Sequence, residues 1–176
     1  VTLLSSFLAQ PRMGHMQQVL HIFAYLKCHE QSNLVFDPNT VDWDESKFEK
    51  HDWSNFYRDA MEAKPPNAPQ PRGATVQMNV FVDADHAGNK ATRRSHTGIL
   101  IYLNCAPIIW YSKAQSTVES STFGSEFVAM RIAVDIIEAL RYKLRMFGIP
   151  IDGPANVFCD NKSVVTNSTI PTSVLK

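Results

Sequence analysis

MNVFVDAD (78–85) decides the fold. It alternates and is rich in β-branched and aromatic residues, which reads as a strand, and Gly88 and Asn89 then open a polar loop running to His96. Towards the C-terminus, TGILIYLN (97–104) and PIIWYSK (107–113) are two more strands separated only by Cys105 and Ala106, the spacing of a hairpin. Ser120 to Phe147 changes period: Phe127, Met130, Ala133, Val134, Ile137, Leu140, Leu144 and Phe147 share one helical face, which Gly148 and Pro150 end. ANVFCD (155–160), bounded by Pro154 and Asn161, is expected to be a short buried strand, and NKSVVTNST to open a further helix. The expected order is β-β-β-α-β-α, an α/β fold with three antiparallel strands, a long helix and a further strand.

Towards the N-terminus the composition changes. Residues 37–74 are rich in acids, aromatics and prolines and end in KPPNAPQPRG, where Pro65, Pro66, Pro69 and Pro71 forbid both helix interior and central strand. This stretch is expected to be a linker with one short helix between Trp53 and Ala63. Before it, Met16, Val19, Phe23 and Leu26 fall at spacings of one amphipathic helix over 14–29, started by Pro11 and Gly14.

With 176 residues, the chain has the length of one domain or a domain plus a fragment. Its 44% hydrophobic and 19% charged residues supply a core and exclude a disordered-type composition. The apolar runs fall far below the ~20 residues that cross a bilayer, so no membrane span is expected. Cys28, Cys105 and Cys159 form no CxxC pair, which points away from a disulfide framework or zinc ribbon and towards a reducing compartment. No basic n-region precedes the first apolar stretch and the first residue is Val1, so the expectation is no secretory signal and a longer parent chain. The net charge is zero, but residues 37–62 hold eight acids and three bases, net −5, so no broad polyanion-binding surface is announced.

Carboxylates within apolar elements carry the chemical information, because an ionised acid is costly to bury unless paired or holding a metal. Asp83 and Asp85 alternate onto one face, ~6–7 Å apart. Glu126 lies in the first turns of the long helix, and Asp160 ends the strand ANVFCD. Converging carboxylates of this kind suit two hard cations about 3.5–4 Å apart. Three of the four acids have an ordinary alternative: Glu126 as a helix N-terminal acid, Asp160 as an N-cap and Asp85 as a turn residue. Asp83, inside an apolar strand, has no routine structural task. Arg93, Arg94 and Lys113 are candidate phosphate contacts, set against a solvated basic turn, and Trp110 and Tyr111 read as strand packing. No HExxH, GxSxG, Walker A or GxGxxG pattern occurs.

VDADHAGNKATRRSHTGILIYLNCAPIIWYSKAQSTVESSTFGSEFVAM, followed by VFCDNKSV, resembles the ribonuclease H domain of copia-type retrotransposon polyproteins. In that family a YxDADWAG-like strand, an RRSTSG-like loop, a WxSKKQ-like strand, an SSTEAEY-like helix start and a later aspartate block follow in this order. SSFLAQPRMGHMQQVLHIFAYLK is similar to the last helix of the copia reverse transcriptase. The resemblance implies a reverse transcriptase tail (1–36), the linker (37–74) and a ribonuclease H-like domain (75–176) whose further strand is parallel. It implies catalytic and metal-ligating roles for Asp83, Glu126 and Asp160 with two Mg²⁺ or Mn²⁺ ions, and a second-shell position for Asp85. The implied partners are an RNA/DNA hybrid and the reverse transcriptase domain of the same polyprotein, in a cytoplasmic virus-like particle or the nucleus. The family's fourth carboxylate follows a final strand beyond Lys176, so the domain is expected to be truncated at its C-terminus. His86, Phe123 and Gly124 depart from the family pattern without removing a ligand.

Two functions of different class follow. The first is a two-metal-ion endonuclease hydrolysing the RNA strand of RNA/DNA hybrids during reverse transcription. The alternative is a catalytically silent scaffold of a degenerate element that at most binds nucleic acid. A third, in which DAD is the DxD motif of a nucleotide-sugar transferase, ranks low because no nucleotide-binding α/β unit precedes it.

Overall fold

The computed structural model describes residues 1–48, 50–151 and 153–173. Its elements in chain order are α1 (Thr2–Ser5), α2 (Met13–Cys28), a 3₁₀ turn (Glu45–Lys47), α3 (Ser54–Tyr57), β1 (Met78–Asp85), β2 (His96–Leu103), β3 (Ala106–Ala114), α4 (Thr122–Met146), β4 (Asn156–Cys159) and α5 (Lys162–Thr169). The β-β-β-α-β-α order read from the sequence is borne out.

The four strands form one mixed sheet in the order β3-β2-β1-β4. β1, β2 and β3 are an antiparallel meander, and β4 returns through α4 to pair parallel to β1, Val82 opposite Cys159. A crossover helix is what a parallel return requires. Alternation places Val80, Val82 and Ala84 of β1 towards α4 and leaves Phe81, Asp83 and Asp85 on the other face. Ile99 and Ile101 of β2 join the inner set, and Ala129, Ala133, Ile137 and Leu144 meet them from the helix. The two alanines let the helix axis approach the sheet closely.

α4 is capped by Ser121, whose Oγ accepts from the Gly124 N–H at 3.1 Å. It stops where Gly148 takes φ +70°, a left-handed conformation that suits glycine. The buried stripe differs from the expected face: Glu126, Ala129, Ala133, Ile137, Arg141 and Leu144 are buried, whereas Val134 and Phe147 point outward. Arg141 enters the stripe because the Glu62 carboxylate pairs with it, which apolar periodicity does not register.

β4 also differs from the buried strand expected, since it is the sheet edge and every one of its residues is only half-buried. Its outer face is covered from the acidic stretch, where Trp43 packs on Phe158 at 4.8 Å between ring centroids. The Trp43 indole N–H also donates to Asn79 Oδ1 at 3.0 Å. Further along that stretch, the Arg72 N–H donates to the Gly148 carbonyl and the Val76 N–H to the Pro150 carbonyl. The short helix expected between Trp53 and Ala63 is α3. α2 forms where its periodicity predicts, yet none of its residues is buried. Among the described residues no helix is long and apolar enough to cross a membrane.

Candidate active site

The parallel register of β1 and β4 builds the site. Because Val82 stands opposite Cys159, the next residues, Asp83 and Asp160, leave the C-terminal ends of neighbouring strands side by side. Ligand sites of α/β sheets commonly form at such ends. α4 begins above the same end, and its fifth residue, Glu126, turns its side chain to the sheet, where the Ala84 backbone N–H donates to the carboxylate.

Glu126 is only 7% exposed, and its Oε2 is buried with no hydrogen-bond partner among the described residues. Burial first, then the charges of Asp83 and Asp160, push its carboxyl up to about 6. Glu126 therefore lies on the packed face of α4, past its first turn, which holds no acid to meet the helix dipole. Asp160 is likewise not the cap of α5, because Asn161 takes that role by accepting from the N–H groups of Ser163 and Val164. The Asp160 carboxylate stays exposed and makes no hydrogen bond or ion pair among the described residues.

Ligand atoms of Glu126, Cys159 and Asp160 lie within 4.8 Å of one another. Asp83 stands outside this trio on the outer face of β1. With Phe81, Trp110, Phe158, Cys159 and Asp160 it lines an open groove of about 850 Å³. Asp85 is not drawn in: its carboxyl folds over the turn against Gly88, where a Cβ would overlap it, as a turn residue would. The Arg93–Arg94 loop leaves β1 at the acid end, and Lys113, paired with Thr97, sits at that end of β3. All three bases therefore share one sheet end with the acids, and all three are exposed.

Two residues were not singled out from the sequence as site members. Cys159 contributes its sulfur to the trio; burial pushes its thiol up, as do the charges of Glu126, Asp160 and Asp83, while the Asn161 N–H pulls it down. Gln115 is buried after β3, and its amide donates to Thr97 Oγ1 at 3.0 Å and to the Ser125 carbonyl at 2.8 Å. It thereby fixes the turn of α4 that carries Glu126. Gln115→Ala removes the two bonds to Thr97 and Ser125 and is expected to cost about 1–3 kcal/mol, measurable as a fall in denaturation midpoint. An unchanged midpoint would refute the positioning role.

No family model and no solved structure matches the chain. The retrovirus-related Pol polyproteins from transposons RE1 and RE2 of Arabidopsis thaliana are 31% and 30% identical to it over 90 residues, 51% of this chain and 6% of each polyprotein. Half of this chain is similar to a transposon Pol polyprotein. An uncharacterized mitochondrial protein of the same plant is 36% identical over 61 residues, 35% of this chain and 25% of that protein. The resemblance to a retrotransposon polyprotein drawn from the ordered blocks is thus borne out, and the mixed sheet with its long helix agrees with the ribonuclease H-like fold it implied. The chain spans about 6% of the length of these Pol polyproteins.

Proposed function

We propose that this chain is the hydrolytic unit of a retrotransposon polyprotein, a metal-dependent endonuclease acting on the RNA strand of RNA/DNA hybrids. The observation that carries the reading is that Asp83 and Asp160 leave neighbouring strands at one sheet end beside Glu126, whose buried Oε2 has no partner among the described residues. All-oxygen donors of this kind fit hard divalent cations, and Asp83, Glu126 and Asp160 would hold two Mg²⁺ or Mn²⁺ ions. When bound, such ions supply a water nucleophile at neutral pH and neutralise charge at the scissile phosphate.

The chain's own residues do the remaining work. Gln115 holds the turn of α4 that carries Glu126, and the Ala84 N–H holds its carboxylate against β1. Arg93, Arg94 and Lys113 sit where phosphates flanking the acid site would pass, holding the backbone without reading sequence. Recognition of a hybrid then rests on 2′-hydroxyls and backbone shape rather than base edges. The reverse transcriptase domain of the same polyprotein is the proposed covalent neighbour, delivering the hybrid inside a virus-like particle or nucleus.

The test is cleavage of a labelled RNA strand in an RNA/DNA hybrid with Mg²⁺ or Mn²⁺. Cutting by the wild-type chain and at least ~100-fold slower cutting by Asp83→Asn is the expected result, since a lost metal ligand costs several kcal/mol of transition-state stabilisation. A folded chain that leaves the hybrid intact would point instead to the silent scaffold.

A further inference from the structure

The sulfur beside the carboxylates has no use in hard-cation chemistry. We infer that Glu126, Cys159 and Asp160 form a mixed oxygen–sulfur site for a thiophilic divalent cation of the Zn²⁺ class, whose binding shuts the acid site against hard cations. The binding stands on the geometry alone; the shutting rests on the hydrolytic reading above.

Three observations carry it. Cys159 faces the α4 side of the sheet, sharing the face of its parallel partner Val82, and this brings its sulfur to Glu126 rather than to the outer face with Phe158. The donor atoms lie within 4.8 Å of one another. A tetrahedral ion with metal–sulfur and metal–oxygen distances of about 2.3 and 2.1 Å needs donors about 3.6 Å apart, so side-chain movements of about 1 Å close the site. Glu126, more than nine-tenths buried, brings to this cluster a carboxylate whose Oε2 has no partner among the described residues, a polar atom whose burial is otherwise uncompensated.

Donor softness sets the selectivity. Magnesium takes octahedral oxygen shells and gains little from sulfur, whereas zinc accepts one thiolate and two carboxylates with a fourth position left to water. Binding expels the thiol proton to solvent, no electrons move, and the assembled site carries one net negative charge from three anionic ligands and a dication. Cys28 and Cys105 stand in no such group among the described residues and provide internal controls.

Cobalt(II) is the probe, because a thiolate ligand gives it a near-ultraviolet charge-transfer absorption that carboxylates do not. Titration of the full chain is expected to develop this absorption to one equivalent and to lose it when Zn²⁺ is added. Cys159→Ser and Cys159→Ala should each abolish it, while the Cys28→Ser/Cys105→Ser double variant keeps it. Its absence from the wild-type chain, or its persistence in either Cys159 variant, would overturn the site. In hybrid cleavage with Mg²⁺, Cys159→Ser should raise the zinc concentration that halves the rate at least ~10-fold, and an unchanged concentration would overturn the shutting. A chain that binds cobalt through Cys159 yet never cuts hybrid keeps this site and loses the hydrolytic reading.

Discussion

Glu126→Gln is expected to slow hybrid hydrolysis at least ~100-fold and, in the same molecule without metal, to raise stability at pH 7 by about 1–2 kcal/mol. The two effects have one origin. The Glu126 carboxyl is pushed up to about 6 from 4.5, so the folded chain resists its ionisation. The sign follows from linkage: an acid with a raised folded pKa costs nothing while both states are protonated, below about pH 4.5. The cost grows between about 4.5 and 6 and is full above 6. Glutamine keeps an oxygen for the Ala84 N–H and never ionises, so it escapes that cost. Thermal melts with chelator at pH 4 and pH 7 should show the variant's advantage only at the higher pH. An equal or lower melting temperature at pH 7 would mean that the carboxylate is not held against its preference. Such an exchange of stability for function is common where groups are held for a ligand.

Glu62→Ala is expected to destabilise the chain by about 2–4 kcal/mol at pH 7, because it leaves a guanidinium stranded. Arg141 is 8% exposed; its Nε and Nη2 donate to the two oxygens of Glu62 at 2.8 and 2.9 Å, and Nη2 also reaches the Gly153 carbonyl at 3.0 Å. Arg145 adds a bond to Glu62 Oε2 at 2.6 Å. The range is set below that of a fully buried pair because the Glu62 side chain remains 34% exposed. Hydrogen bonding by Arg141 foremost, with further help from Arg145, holds the Glu62 carboxyl down at about 2. A depressed acid contributes its stability above the unfolded value near 4.5 and loses it as pH falls towards 2, so wild type and variant should converge in that window. Arg141→Met, which removes the buried charge with its partner's need for it, should be milder. If urea midpoints show it equally damaging, packing rather than desolvated charge holds this corner.

These predictions mark where the sequence is legible. The strands announce themselves because alternation reports a half-buried surface directly, and β4 is readable between its Pro and Asn boundaries. Asp83 stands out as an acid in an apolar strand. Glu126 and Asp160 are ambiguous in sequence, since a helix start and a neighbouring Asn161 offer ordinary roles; only the Ala84 contact and the Asn161 cap separate the alternatives. Cys159 carries no pattern of its own, and its part depends on a strand register 77 residues from its partner strand. The Glu62–Arg141 pair spans 79 residues, beyond any local periodicity, which is why a buried Arg141 is not legible in the apolar pattern of α4. The buried Gln115 is hidden for the same reason: its bonds run to Thr97 at the start of a strand and to Ser125 at the start of a helix, and neither position stands out in the sequence.

The β1–β4 seam has a consequence for how intactness is judged. β1 pairs with β2 through eight residues and with β4 through four, and among the described residues β4 has no second neighbour in the sheet. Cys159 and Asp160 ride on that short seam, while Asp83 and Glu126 belong to the meander and its helix. Segments with fewer buried contacts and bonds open at lower free energy than the whole domain. Fraying of β4 and α5 therefore disassembles the acid cluster while most of the ordered backbone persists, and a native-looking spectrum certifies the meander without certifying the cluster.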